Sequence, residues 1–145
     1  MVKVASSSGK GFVNVEITGI NEVLMRLRRI GKDVENEVDL TVVKLGAFAK
    51  EEVQESIIGN RAEPKSVDTG MFGNAIEVNK IETAHVVIEP GNARYPGGQS
   101  VKDVAKYLEY GTSKISPRQH FRNTEKRVKP KVIEEIQKAV KKGTG

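Results

Sequence analysis

An apolar stripe through residues 33–58 constrains the fold of this chain more than any other feature of its sequence. Apolar side chains recur there every third or fourth residue, at Val34, Val38, Val42, Leu45, Ala49, Val53 and Ile57. This spacing predicts one amphipathic helix, which at 1.5 Å per residue would be roughly 38 Å long. Phe48, together with Leu40 and Val43, widens the stripe. We therefore expect the helix to pack on a sheet. The extra width of the stripe would also allow the helix to pack on a second neighbour.

The residues before this helix predict a strand and a short helix. Residues 12–17 alternate, with Val13, Val15 and Ile17 on one face, which is typical of a half-buried strand. In residues 21–31, apolar side chains at helical spacing follow a capping Asn21 and end near Gly31. Residues 1–11 contain turn-forming Ser and Gly without any period, so we interpret them as a flexible N-terminal arm.

The middle of the chain predicts a β-hairpin between two long loops. Residues 75–81 and 84–89 are strand-like runs joined by the short link 82–83, which indicates antiparallel pairing. Residues 59–70 and 90–100 are polar and contain Gly and Pro, and loops of this length in a compact domain tend to be functional or disordered. We expect no carboxylate or second His near His85, at the entry of the second strand, and interpret it as structural.

Residues 107–121 predict a joint between two helices. Val101, Val104, Ala105 and Leu108 form the apolar stripe of a short helix, which Ser100 can cap and Gly111 can end in a left-handed conformation. Ser116 followed by Pro117 predicts the start of the next helix there. That helix is amphipathic, with Pro130 expected to kink or break it, and residues 143–145 are expected to fray.

Together these elements predict an α+β fold in which a small antiparallel β-sheet packs against a long α-helix and a C-terminal helix, with long loops. With 145 residues, the chain has the length of a single domain, which we place at residues 12–142.

Composition excludes several classes of site. The chain has no Cys, which rules out disulfides and thiolate ligands, and its two His residues are far apart in sequence, so we expect no metal site. No segment approaches the roughly 20 apolar residues of a membrane span, and no signal-peptide core is present. We expect a soluble protein made in the cytoplasm, without a cofactor and without a membrane partner.

The positive charge is concentrated at the C-terminal end. The net charge is +5, but residues 114–145 carry ten Lys or Arg and three Glu, a net charge of +7, against −2 for the remainder. The candidate basic face comprises Arg122, Lys126, Arg127, Lys129 and Lys131. Such a face can bind DNA or an acidic partner, or it can simply keep a helix end soluble.

No catalytic motif is present. The nucleophile-elbow, phosphate-loop and zinc-protease patterns are all missing, so we expect no enzyme. Aromatic content is 5% and no basic patch is interleaved with aromatic residues, so a small basic nucleic-acid-binding protein is the alternative rather than the first interpretation. Long loops, long amphipathic helices and a terminal arm are typical of a subunit that contacts neighbouring copies.

Three segments in fixed order resemble one known family. The first is Thr-Gly-Met-Phe-Gly-Asn-Ala-Ile at 69–76, where the family has Thr-Gly-x-Leu-x-x-Ser-Ile opening a strand. The second is residues 104–112, ending in Glu-Tyr-Gly-Thr, and the third is His120 with Phe121, opening the last helix. Over residues 21–140 the chain thus resembles the tail-completion or neck proteins of long-tailed bacteriophages, the HK-ninety-seven gene-ten-like family. It departs from the pattern at Val104, Ala75 and His120, and at residues 124–125.

The resemblance implies a structural virion protein at the neck or head-proximal end of the tail. Copies would form a ring that completes the tail and joins it to the head, with head-connector and tail proteins as neighbours and non-specific contact with channel DNA allowed. The candidate interface and hinge residues are Thr69, Gly70, Phe72, Glu109, Tyr110, Gly111, Thr112 and Phe121. Because Glu109 would lie at a helix C-terminus, where a negative charge is unfavourable, we expect it to have a partner. The candidates are amides of residues 112–116, Arg118 and Arg122.

Overall fold

A computed structural model describes residues 3–6, 13–19, 32–66 and 70–144 of the chain. In chain order the elements are β1 (Lys3–Ser6), β2 (Val15–Thr18), α1 (Lys32–Ile57), α2 (Met71–Asn74), β3 (Ile76–Glu82), β4 (His85–Pro90), α3 (Val101–Tyr110) and α4 (His120–Thr144). They form an α+β fold, as the sequence predicts. A four-stranded antiparallel sheet with strand order β1-β2-β4-β3 packs against α1 and α4, which also pack on each other.

The long helix α1 supplies the centre of the hydrophobic core. It has 26 residues, and the seven apolar residues of its predicted stripe are each at most 4% exposed. Gly46 lies where the helix meets the sheet, and a Cβ atom there would be 3.0 Å from methyl groups of Val78 and Val86. Burial of the stripe on both the sheet and α4 therefore fixes the position of α1.

The sheet contributes the opposite side of this core. Val13, Val15 and Ile17 are buried, as their alternation predicts, and Val15 pairs with Ile88 of β4. In the hairpin, β3 and β4 pair antiparallel, with Thr83 and Ala84 at the turn rather than residues 82–83. The hairpin prediction is thus confirmed, with the turn displaced by one residue.

The prediction of a flexible arm over residues 1–11 is wrong for residues 3–6. These residues form the edge strand β1, which pairs antiparallel with β2, and Val4 is 5% exposed opposite Ile17. Four residues are too few to show a period, and the strand they pair with follows only after the Ser- and Gly-containing segment, so local sequence gave no sign of the strand. The remainder of the arm and the predicted helix over 21–31 lie outside the described residues.

Helix α4 differs from its prediction at both ends. It begins at His120 rather than near Ser116 and Pro117. The N–H of Arg118 donates to the carbonyl of Leu108 at 2.7 Å, and Gln119 has a φ of 52°, so the backbone just before His120 is not helical. It continues through Pro130 without a break.

The predicted fraying of residues 143–145 is also wrong for the first two of them. Gly143 and Thr144 belong to α4, and a Cβ atom on Gly143 would lie 2.6 Å from the Cα of Val34. The end of α4 is therefore packed directly on the start of α1. Gly145 lies outside the described residues.

Two further features were not predicted. The short helix α2 follows Gly70, whose φ of 82° is accessible to glycine, and replaces the expected direct entry into a strand. His85 has a carboxylate nearby after all, since its Nε2 lies 2.8 Å from Oε1 of Glu16 on the neighbouring strand. No helix among the described residues is long and apolar enough to cross a membrane.

Candidate functional site

Polar side chains are buried where the end of α1, the loop after it and the start of α4 meet. Among the described residues, the polar or charged residues that are at most 5% exposed are Ser56, Glu63, Glu109, His120 and Thr124. We call these five residues the buried polar cluster. Because an unpaired buried polar group is costly, each of them needs a hydrogen-bond partner inside the protein.

The loop after α1 carries Glu63 into this cluster. Gly59 has a φ of 90°, a conformation in which glycine can turn the chain back on the helix end. The N–H of Ser66 then donates to the carbonyl of Ile57 at 2.7 Å, which closes residues 58–66 on the last turn of α1. As a result the Glu63 side chain reaches Ser56, one residue before the helix ends.

Glu63 is a carboxylate of the cluster whose counterion is Arg127. The two Nη atoms of Arg127 donate to the two carboxylate oxygens at 2.9 and 2.6 Å, and Asn123 donates at 3.2 Å. Burial alone would raise the pKa of Glu63, but the hydrogen bonds from Arg127, Ser56 and Asn123 hold this pKa below its usual value. The carboxylate therefore remains ionised at neutral pH, and it joins the loop to α4.

Because Glu63 is ionised, it determines which group donates and which accepts in each bond of a chain of hydrogen bonds through His120. A carboxylate only accepts, so Ser56 Oγ–H donates to Glu63, and Ser56 Oγ accepts from Nδ1–H of His120 over 2.7 Å. Nε2 of His120 then carries a lone pair and accepts the hydroxyl proton of Ser66 at 2.7 Å. Arg118 Nη1 completes the chain by donating to Ser66 Oγ at 2.8 Å.

His120 is neutral within this chain. Burial lowers the pKa of its imidazole to about 4, and the charges of Arg118 and Arg127 act in the same direction against the opposing charge of Glu63. The ring also stands edge-on to Phe72, with centroids 6.3 Å apart and planes at 66°. His120 therefore connects α1, the loop, α2 and α4 as a neutral donor and acceptor.

Glu109 caps α4 from the last turn of α3. Its Oε1 accepts the backbone N–H of Phe121 at 2.9 Å, and its Oε2 accepts that of Arg122 at 3.0 Å. Burial raises the pKa of Glu109, and the two N–H donors partly oppose this shift. A carboxylate that is unfavourable at the C-terminus of α3 thereby satisfies free N–H groups at the N-terminus of α4.

The predicted partners of Glu109 were therefore only partly right. A partner exists, but it is neither an amide of residues 112–116 nor the side chain of Arg118. Arg122 donates its backbone N–H, and the charge of its side chain only acts to lower the pKa of Glu109 against the larger effect of burial. Those predictions assumed a helix that starts near Ser116, whereas the later start at His120 brings other amides to the carboxylate.

The structure brings some of the predicted interface and hinge residues together and separates others. Phe72, Glu109 and Phe121 meet around His120 and are all buried. Gly70, Gly111 and Thr112 shape the backbone instead: Gly70 precedes α2, Gly111 follows α3 with a φ of 81°, and Thr112 Oγ1 accepts two backbone N–H groups. Tyr110 is 45% exposed, and Thr69 lies outside the described residues.

The candidate basic face is smaller than predicted. Arg127 is committed to Glu63, and Lys131 Nζ lies 4.0 Å from the ring centroid of Phe48 on α1. Both therefore help to hold α4 on the rest of the protein. Arg122, Lys126 and Lys129 are exposed on α4, and Lys131 is exposed there too, so these four residues form what remains of the face.

Sequence reasoning missed Ser56, Glu63 and Ser66. Ser56 did carry a signal, because it follows Val53 by three residues and so lies on the apolar stripe of α1, where a hydroxyl must be paired. Glu63 and Ser66 lie in a loop without any period, and their partners on α4, Arg127 and His120, are 64 and 54 residues away. No local pattern could have identified them.

The hydrogen bonds that link Ser66, His120, Ser56 and Glu63 have the order of a catalytic triad: Ser66 stands where a nucleophile would, His120 where its base would, and Glu63 where a supporting acid would. A base with a pKa near 4 is nevertheless weak at neutral pH, which limits such chemistry. What the arrangement does directly is hold four segments together in a buried position. The described residues contain no group of three His, Asp or Glu placed to bind a metal ion.

An open groove of about 650 Å³ lies beside the cluster. It is lined by Lys65, Ser66, Tyr95, Gln99, Val104, Leu108 and Arg118. Apolar side chains of α3 thus face two cations, one from the loop after α1 and one from the segment before α4.

Comparisons of the chain with known protein families, with curated proteins and with solved structures find no match.

Proposed function

We propose that this protein is a structural subunit of a tailed-phage virion, and that copies of it form a ring at the neck that completes the tail and joins it to the head. The observation that carries the proposal is the contact between Glu109 and the backbone of Phe121 and Arg122. Two of the three segments of the resemblance, Glu-Tyr-Gly-Thr, which is the most specific, and the aromatic residue that opens the last helix, are the two sides of this contact.

The joint between α3 and α4 suits a subunit of fixed shape. Gly111 has a positive φ, and a Cβ atom there would lie 2.8 Å from both Ile115 O and Pro117 Cδ, so the turn is closely packed. Capping by Glu109 and the buried polar cluster then fix the direction in which α4 leaves α3. A subunit that holds a fixed shape in this way can repeat the same contact around a ring.

Exposed apolar side chains also support the proposal. Leu40 and Val43 are 52% and 41% exposed and lie three residues apart on α1, where they form a small apolar strip. Tyr107 and Tyr110 form a second pair three residues apart on α3, each 45% exposed. Single exposed apolar residues are ordinary, but paired ones on two different helices suit a subunit with more than one neighbour.

Deletion of the gene from the phage genome that carries it tests this role. We expect cells to accumulate DNA-filled heads and separate tails, which electron microscopy distinguishes from joined particles. Supplying the protein from a plasmid should restore joined particles, and a Glu109→Ala variant should restore fewer. Normal joined particles from the deletion phage would contradict the proposal.

A further inference from the structure

We propose that copies of this chain join head to tail by inserting the tip of the β3–β4 hairpin, Ile81 and Glu82, into the groove of a neighbouring copy lined by Lys65 and Arg118. This inference rests on the proposed ring and identifies its subunit contact. The occupant is thus an apolar and an acidic side chain that are adjacent in sequence.

The groove offers both positive charge and apolar surface, which an adjacent acidic and apolar side chain can bind. Within the described part of the chain, neither Lys65 nor Arg118 forms an ion pair, and Lys65 is exposed. Arg118 is held in place because its Nη1 donates to Lys65 O and Ser66 Oγ, both at 2.8 Å. Val104 and Leu108 supply an apolar wall beside these cations. An incoming carboxylate would therefore meet positive charge while an adjacent apolar side chain is buried.

The tip of the β3–β4 hairpin carries an exposed apolar side chain next to an exposed acidic one, which matches the groove. Six large apolar side chains are exposed among the described residues: Leu40, Val43, Ile58, Ile81, Tyr107 and Tyr110. Of these, Ile81 is the one next to a well-exposed carboxylate, that of Glu82, which is 63% exposed and whose Oε1 lies 3.6 Å from Nδ1 of His85. Asp39, beside Leu40, already binds Lys80 and the N–H of Ala84. Glu109, beside Tyr110, is buried as the cap of α4.

The tip is held in one conformation before any partner arrives. The β3–β4 register shifts between Lys80 and Glu82, so Ile81 lies in a bulge where the strict alternation of the strand fails. Ile81 is 57% exposed there. Asp39 anchors both sides of the tip, through Lys80 Nζ at 2.8 Å and Ala84 N at 2.7 Å. Little conformational freedom is then lost on binding.

Tip and groove lie at opposite ends of the subunit. The tip is anchored by a hydrogen bond to Asp39 of α1. In the groove, the backbone N–H of Ser66 donates to the carbonyl of Ile57 at the end of the same helix. Eighteen residues of helix separate the two by about 27 Å, so a copy cannot fill its own groove. Two different and distant complementary surfaces make a heterologous contact, which generates a ring when the rotation between copies closes.

Charge reversal tests the contact. The association of purified chains should weaken about tenfold or more in Glu82→Lys and in Lys65→Glu, since each brings like charges together. The double variant restores opposite charges and should recover most of the lost association. Glu51→Lys, a charge reversal at an exposed Glu of α1, serves as the matched control and should assemble normally. Sedimentation velocity over a range of concentrations gives the dissociation constants.

The outcomes separate this inference from the proposed function. If the unmodified chain forms rings and neither single reversal weakens them, or the double variant is no better than the single ones, the tip-to-groove contact is wrong and the ring stands. If the unmodified chain remains monomeric at every concentration, both are wrong. Circular dichroism of each variant must match the unmodified chain, and an Ile81→Ser variant, which should also assemble poorly, provides a second readout without any change of charge.

Discussion

Oε1 of Glu109 accepts the backbone N–H of Phe121 at 2.9 Å, so that the last turn of one helix caps the first turn of the next. This contact spans 12 residues and makes the intervening segment a closed joint rather than a flexible linker. The buried polar cluster then ties the joint to the end of α1 through His120 and Ser56. The relative positions of α1, α3 and α4 are therefore set at one end of the molecule.

Removal of the cap should destabilise the protein. Glu109→Ala leaves the N–H groups of Phe121 and Arg122 without their acceptor, and we expect a loss of about 2 kcal/mol in the free energy of unfolding. Urea denaturation measures this loss. Glu51→Ala, at an exposed position of α1, should stay within about 0.5 kcal/mol of the unmodified protein. Equal stability of the two variants would show that the cap contributes nothing.

Stability should fall as the pH falls from about 7 towards 4 because His120 is buried in its neutral form. Its pKa is about 4 in the folded protein against 6.5 for an unperturbed His, so the unfolded chain binds the proton more readily over this range. Between pH 7.5 and pH 5 we expect His120 to account for a loss of about 2 kcal/mol. Denaturation of His120→Gln at both pH values should show a correspondingly smaller loss, whereas an identical pH dependence would assign the effect to other groups.

Glu63 should protect its own loop from proteases. Arg61 and Lys65 offer trypsin two cleavage sites on either side of Glu63, and the contact with Arg127 holds this segment against α4. Glu63→Gln weakens that contact and leaves Arg127 without its counterion, so we expect cleavage at these sites to become several-fold faster. Mass spectrometry of limited digests locates the cuts. Glu51→Gln should leave the rate unchanged, and an unaltered rate in Glu63→Gln would mean that the loop is held by other contacts.

The basic residues of α4 should separate into two groups. Arg127→Gln and Lys131→Gln lose contacts with Glu63 and Phe48, and we expect the former to cost about 2 kcal/mol of stability and the latter less than 1. Arg122→Gln, Lys126→Gln and Lys129→Gln should each stay within about 0.5 kcal/mol.

Duplex-DNA binding by the same three exposed variants tests the nucleic-acid alternative. If DNA is the main partner, the unmodified protein should bind it with a steep salt dependence, and each neutralisation should reduce the slope. We expect only weak binding, with joined particles still forming when all three residues are neutralised together.

The sequence predicted the elements whose signal is local. The period of α1 identified its buried face residue by residue, Ser100 was recognised as the cap of α3, and the hairpin followed from two apolar runs with a short link. The start of α4 was predicted wrongly because Ser116 and Pro117 are a good local start signal, which the cap from Glu109 overrides. A distant partner therefore decides where a helix starts when it satisfies more of the free backbone N–H groups than the local capping residues do.

The site was mostly beyond the reach of sequence reasoning. Glu109 was expected to have a partner, because its charge was unfavourable where its helix ends. The cluster around His120 depends on residues of α1 and the following loop that are 54 and 64 positions away along the chain. Such contacts form only once α1 and α4 pack against each other, so their geometry has no counterpart in any short segment.

Electron microscopy of the purified protein, together with its native mass, is the most direct test of the central proposal. At neutral pH we predict closed rings of a single size that dissociate on dilution and whose formation is weakened by Glu82→Lys. Monomers at every concentration, or two-fold dimers that do not extend to a ring, would contradict the assignment of this protein as a ring-forming subunit of a phage neck.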